Sequence, residues 1–351
     1  MFKSDINNKA GIIINSGSFG CVFHPSLECD NMKSSYKYIS KLMLYKDAIE
    51  EYEISIKLKQ IFSVVLPDYK KYIILTESIC NIKFISNKDI TGYDKCYLFQ
   101  MLNIKEKNVN STLHNLIILN QKYGGIELTV YLMSHGIKKI LKSFIDILSC
   151  IVLINKHGVY HSDIKSSNLL VNKNRLYIID WGLTKIKPSI EDFSHNKTFS
   201  FNNPFGSILF SNIFKQYCDF GVDVNTATRQ VNLFMEHYEK NGHFVFIKEV
   251  ILFFNLNSRC IENYLIKILT AYTKEEYFKI FLHNLDLWGI ISCFMDFFNI
   301  QDKKCGYDII YYLYTDVGYL NVQKIAKLIK NLNRANGTKR KQKNIKTKKN
   351  I

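Results

Sequence analysis

The stretch from Leu169 to Asp180 constrains this chain more than any other. It reads LLV, a turn at Asn172-Lys173-Asn174, then LYIID, the pattern of a β-hairpin. A polar loop flanks it on each side. Tyr160-His161-Ser162-Asp163-Ile164-Lys165-Ser166-Ser167-Asn168 precedes it, and Asp180-Trp181-Gly182 follows, with Asp180 twelve residues after Asn168. Asp163 could accept a proton from a hydroxyl, and Asn168 and Asp180 supply hard oxygen atoms of the kind Mg²⁺ takes. Lys165 could neutralise a phosphoryl group in transit. Each residue alone is an ordinary turn former; the set, at this spacing around one hairpin, is not.

The rest of the chain gives this hairpin its setting. Gly11 to Ile14, Cys21 to Phe23 and Tyr36 to Leu44 read as strands, with a small-residue turn from Asn15 to Gly20. Asp47 to Ile61 reads as a helix with Asp47 as its N-cap. Leu116 to Leu119 is a short strand ended by Tyr123-Gly124-Gly125. Ile137 to Lys156 carries Ile140, Leu141, Phe144, Ile147, Leu148 and Ile151 at helical spacing and closes at His157-Gly158. The remainder is largely helical. Strands first and helices later predict an α+β fold with a β-rich small lobe and an α-rich large one.

Composition removes several classes. With 351 residues, 47% hydrophobic and 22% charged, the chain has ample material for a core and is not disordered overall. Nine cysteines are scattered without CxxC spacing, which predicts reduced thiols and neither a zinc finger nor a disulfide framework. No signal-like leader and no long uncharged apolar run occurs, so an intracellular, cytoplasmic protein with no membrane span is expected. Eight of the formal +16 charges lie from Arg334 onward with no acid among them. Residues 334–351 therefore read as a disordered basic tail, open to an acidic or nucleic-acid partner or to nuclear import.

The motifs resemble those of the eukaryotic protein kinase family. HSDIKSSN (residues 161–168) stands where that family carries its H-R-D-x-x-x-x-N catalytic loop, and DWG where it carries D-F-G. Upstream, Ile14-Asn15-Ser16-Gly17-Ser18-Phe19-Gly20-Cys21-Val22 resembles the Gly-rich loop, with Asn15 in place of the first Gly and able to adopt a positive φ. Lys41 occupies the place of the strand lysine. Its helix partner is expected among Glu50, Glu51 and Glu53; the likeness of Glu53-Ile54-Ser55 to a cyclin-dependent-kinase run selects Glu53, with Glu50 as the alternative. Residues 116–128 resemble the fifth strand and hinge, which puts Leu119 next to the adenine and Asn120 to Tyr123 in the hinge. Leu285-Asp286-Leu287-Trp288-Gly289 is similar to the family's buried D-x-W-S-x-G helix, where the Asp supports the catalytic loop.

The resemblance implies a two-lobed kinase-like fold: residues 1–119 as N-lobe with an insertion around 62–115, and 120–333 as hinge and C-lobe. The activation segment would start at 180, with an insertion at 207–279. It implies ATP and Mg²⁺ as cofactors, bound through residues 14–22, Lys41, Glu53, Asn120 and Tyr123, with Asn168 and Asp180 on the metal. Asp163 and Lys165 become the catalytic pair, and Lys165 two residues after Asp163 is the Ser/Thr-kinase pattern, acting on a protein hydroxyl. A monomer is expected. GSFGCVFHP, NNPFGSILF and the Ile/Asn/Lys/Phe-rich composition look like divergent kinases of large DNA viruses, which would place the protein in a host cell or virion. Ser162 replaces the Arg that receives an activation-loop phosphate, which implies activity independent of such phosphorylation, and no A-P-E follows DWG. Those departures keep a second reading open, a pseudokinase scaffold without turnover. A third is a kinase-like enzyme acting on a small molecule.

Overall fold

The computed structural model describes residues 11–17, 20–30, 32–82, 85, 95–105, 107–194, 202–240, 259–295 and 303–330. Ser18, Phe19 and the basic tail from Arg334 lie outside them, as do residues 241–258 of the expected insertion. The chain divides into two compact units, one of residues 1–125 with 177–182, the other of 126–176 with 183–351. The division thus falls after Gly125, not after residue 119.

The N-terminal unit is built on a five-stranded antiparallel sheet: β1 (Ile12–Gly17), β2 (Gly20–His24), β3 (Tyr38–Leu44), β4 (Thr76–Asn81) and β5 (Leu116–Lys122), in the order β1-β2-β3-β5-β4. One long helix, α1 (Tyr45–Val65), packs on it through Ala48, Ser55, Leu58 and Phe62. The helix starts earlier than Asp47 and makes no side-chain cap bond; its N-cap residue is Leu44. The two faces of the sheet have separate cores, as alternation along a strand requires. Ile117 and Leu119 join Met43 and Ala48 on the α1 side. Leu116 and Ile118 point the other way, into a larger cluster with Phe23, Leu42, Leu98, Phe99 and Val109. Residues 62–115 therefore supply strand β4 and a short helix, α2 (Tyr97–Met101), and the later part of that segment covers the outer face of the sheet.

That cover is tied down by disulfides, against the expectation of reduced thiols. Cys21 on β2 bonds Cys96, and Cys29 bonds Cys80 on β4. The sequence concealed both, because the partners lie 75 and 51 residues apart and share no local motif. Among the described residues, Cys150, Cys218, Cys260 and Cys293 are free thiols.

The C-terminal unit is mainly helical. It contains β6 (Ile126–Glu127), α3 (Leu128–His135), α4 (Leu141–Lys156), β7 (Val159–Tyr160) and β8 (Leu169–Asn172). The chain continues through β9 (Arg175–Ile178), β10 (Lys185–Ile186), α5 (Val224–Lys240), α6 (Cys260–Ala271) and α7 (Lys274–Ser292). β6 pairs with β8, and β7 with β10. The hairpin turn falls on Lys173 and Asn174, whose φ angles of 51° and 62° suit a tight two-residue loop. Helix α4 buries the apolar stripe read from the sequence and ends before Gly158, which has a φ of 78°. A capping box at Thr273 and Glu276 starts α7, whose Leu285 to Ser292 run is buried. The described parts of 207–279 belong to this unit, with Phe214 against Phe234 and α5 packed beside α6.

Among the described residues no helix is long and apolar enough to cross a membrane.

Candidate functional site

In the N-terminal unit the site is centred on Lys41. It lies in the middle of β3, paired with Val22 of β2 on one side and Leu119 of β5 on the other. Its ammonium donates to Glu51 Oε2 at 2.6 Å and to Asp180 Oδ1 at 3.2 Å. Burial works against the charged ammonium, but the carboxylates of Glu51 and Asp180 outweigh it and hold the Lys41 pKa above its ordinary value. The helix partner is therefore Glu51, and the expectation of Glu53 is corrected. Two residues turn a helix by about 200°, so an acid at 53 faces away from one at 51. Glu53 and Glu50 are exposed, whereas Glu51 falls on the buried stripe Ala48-Glu51-Ser55-Leu58-Phe62.

Asp180 reaches Lys41 because the end of β9 pairs with the chain after α1. Ile178 donates its N–H to the Tyr72 carbonyl, and Ile74 donates to Ile178. Asp180 then takes a left-handed conformation, φ 63°, which Asp tolerates better than most residues. Trp181 turns inward. It is 2% exposed, and its ring meets Phe62 of α1 edge-on at 5.4 Å, an apolar wedge against that helix.

The Gly-rich segment forms the β1–β2 hairpin, with Gly17 opposite Gly20 and Ser16 opposite Cys21. A Cβ on Gly20 would lie 2.3 Å from the Leu42 carbonyl oxygen, so glycine is needed there for strand packing; one on Gly17 would meet open space. Asn15 is not among the positive-φ residues; it sits beside a register shift in β1, its side chain accepting from Ser16 N–H. Ile14 is exposed, Val22 pairs with Lys41, and Cys21 is fully buried in its disulfide. The Ser16 hydroxyl accepts the N–H of Tyr97, the residue after Cys96.

The hinge expectation needs correction at Asn120. β5 continues to Lys122, and Asn120 is paired with Ser40 and Ser78, so its backbone serves a central strand. Its buried side chain accepts from the Ser40 hydroxyl at 3.0 Å and donates to Cys80 Sγ at 3.0 Å. Tyr123 follows the strand; its N–H is held by the Lys37 carbonyl and its ring stacks on His24 at 4.2 Å.

In the C-terminal unit, Asp163, Lys165 and Asn168 come together. Lys165 Nζ lies 2.7 Å from Asp163 Oδ2. Asn168 donates its amide to the Asp163 carbonyl at 2.9 Å and to Oδ2 at 3.3 Å. A donor that sequence reasoning missed, Asn202, reaches Asp163 Oδ1 at 3.2 Å. Asp286 on α7 accepts the N–H groups of His161 and Ser162, so its expected supporting role is met. Ser162, with φ 66°, makes the bend between them. Burial pushes the Asp286 carboxyl pKa up, against those bonds and the His161 ring.

Asn168 commits its amide nitrogen to Asp163, so in the C-terminal unit the oxygen of that amide is the atom left for a hard cation, and in the N-terminal unit Asp180 offers a carboxylate. Among the described residues no three His, Cys, Asp or Glu side chains cluster as a metal site. No protein-family model matches the chain, and no curated protein matches it either.

Proposed function

We propose that this protein is an ATP-dependent protein serine/threonine kinase of the eukaryotic type, with a kinase-like two-lobed fold. The observation that carries the reading is the Lys41 ammonium bonded at once to Glu51, ten residues on, and to Asp180, 139 residues away in the chain. A half-buried lysine paired this way keeps its charge and a fixed position, which a polyphosphate needs in its partner.

The roles follow from what each side chain can do. Lys41, held by Glu51, binds phosphate oxygens of ATP. Asp180 and Asn168 hold Mg²⁺, which when bound would neutralise phosphate charge. Asp163 orients an acceptor hydroxyl and takes its proton, and Lys165 screens charge on the group being moved. The chemistry asks the chain mainly for positioning, and three amide or ammonium donors already fix the Asp163 carboxylate. The acceptor is a Ser or Thr hydroxyl of a protein.

Transfer of radiolabelled γ-phosphate from Mg·ATP to casein or a basic protein, beside a panel of small alcohols, tests the reading. Asp163→Asn should abolish most turnover and leave ATP binding nearly intact, while Lys41→Met should lower both. ATP binding without transfer in the wild type would establish the scaffold reading instead, and labelling of the alcohols alone a small-molecule kinase.

A further inference from the structure

Alternation along β5 places Ile117, Leu119 and residue 121 on the face that meets α1. The first two are apolar, and the third is Gln121, 6% exposed. An amide in such a place is unfavourable unless its polar atoms find partners. Gln121 finds two. Its Nε2 donates to Thr76 Oγ1 at 3.1 Å, from the residue directly opposite it on β4, and to Glu51 Oε1 at 3.5 Å. The two oxygens of Glu51 are thereby divided, Oε2 on Lys41 and Oε1 facing Gln121. Lys41 has a competing carboxylate in Asp180 at 3.2 Å.

We infer that Gln121 is a positioning residue for nucleotide binding: with Thr76 it fixes the rotation of the Glu51 carboxylate, and so keeps Lys41 from collapsing onto Asp180. This rests on the kinase reading and adds to it a residue that no motif supplies. A buried amide chosen for packing alone would be better replaced by Leu or Met, because an apolar side chain of that size carries no desolvation cost.

The test is calorimetric titration of Mg·ATP, steady-state kinetics and urea unfolding on wild type, Gln121→Met, Thr76→Val and the double variant. Gln121→Met should weaken ATP binding and raise the ATP KM about tenfold, the size expected for a lost hydrogen bond to a charged group. The KM for the protein acceptor and the unfolding midpoint should hold. Thr76→Val should give part of the same effect, and the double variant should be no worse than Gln121→Met, because residues acting through one bond are not additive. Unchanged ATP affinity in Gln121→Met, a fall in midpoint with equal losses in every kinetic constant, or simple additivity would each overturn the inference while leaving the kinase reading intact. A wild type that binds no ATP overturns both.

Discussion

The Asp286 carboxylate bridges two consecutive backbone N–H groups, His161 at 2.8 Å and Ser162 at 2.9 Å, with one oxygen to each. Both donors are at the bend that precedes Asp163, so a helix side chain 123 positions further on sets the path of the loop that carries Asp163, Lys165 and Asn168. Turned with its nitrogen inward, the Asn155 amide adds a donor to Oδ2 at 3.0 Å.

Asp286→Asn tests that bridge. The carboxamide keeps one acceptor oxygen and turns an N–H group toward a backbone N–H, leaving a buried donor without a partner. The expected cost is about 1–3 kcal/mol of stability, read as a lower urea midpoint. Phosphoryl transfer should fall with ATP affinity nearly unchanged, since Lys41, Glu51 and Asp180 are untouched.

Glu51 and Glu53 separate the two ways of choosing a helix partner. Glu51→Gln should raise the ATP KM at least tenfold, about the size expected for a lost hydrogen bond to a charged group. Glu53→Gln changes an exposed side chain and should alter ATP KM and unfolding midpoint within error. Kinetics on the pair decide it; an effect confined to Glu53→Gln would reverse the assignment.

The sequence was most readable where geometry is local. The hairpin around Lys173 and Asn174, the apolar stripe of α4 and the D-x-K-x-x-N loop each depend on residues within one turn or one helix. What it hid depends on faces and distant pairs. A motif likeness favours Glu53 over Glu51, although the stripe Ala48-Glu51-Ser55-Leu58-Phe62 marks Glu51 as inward. Counting from Gly124 puts Asn120 in the hinge, because the count does not reveal how far β5 stays paired. Asn202 follows a polar stretch with no periodic pattern, and the disulfide partners have no shared motif at all.

The pH dependence of stability should carry the signature of Lys41. Its pKa in the fold lies above the ordinary 10.5, so the folded state holds this proton more tightly than the unfolded one. The contribution is complete below pH 10.5 and is lost as pH rises through the raised value. Urea midpoints of wild type and Lys41→Met should differ by a constant amount up to that point and converge above it. A gap that widens with alkalinity would contradict the charged pair.

Peptide mapping without reduction should recover Cys21 linked to Cys96 and Cys29 to Cys80. Replacing either pair by serine should cost about 2–5 kcal/mol, the usual range for a native crosslink. Loss of the Cys21–Cys96 bond should also raise the ATP KM, because the neighbouring Tyr97 N–H holds the Ser16 hydroxyl of the Gly-rich hairpin. Alkylation of Cys21, Cys29, Cys80 and Cys96 in the denatured, unreduced protein would refute the crosslinks.

Asn202 offers the sharpest separation of chemistry from folding in the C-terminal unit. Its amide donates to Asp163 Oδ1, and its backbone packs where Gly289 of α7 leaves room: a Cβ on Gly289 would lie 2.9 Å from Ile164 and 3.1 Å from the Asn202 carbonyl oxygen. The backbone that carries this side chain thus lies against the same helix that carries Asp286. Asn202→Ala removes the donor and frees the Asp163 carboxylate to turn, which should lower kcat about tenfold or more for one lost charge-assisted hydrogen bond, with ATP affinity unchanged. Asn202→Thr keeps a hydroxyl donor on a shorter arm and should recover part of the rate. Asn202→Asp sets a second carboxylate beside the first and replaces a hydrogen bond by like-charge repulsion, so its rate should fall furthest. The expected order of kcat is wild type, Thr, Ala, Asp. Equal rates for Thr and Asp would mean that Asn202 serves packing alone.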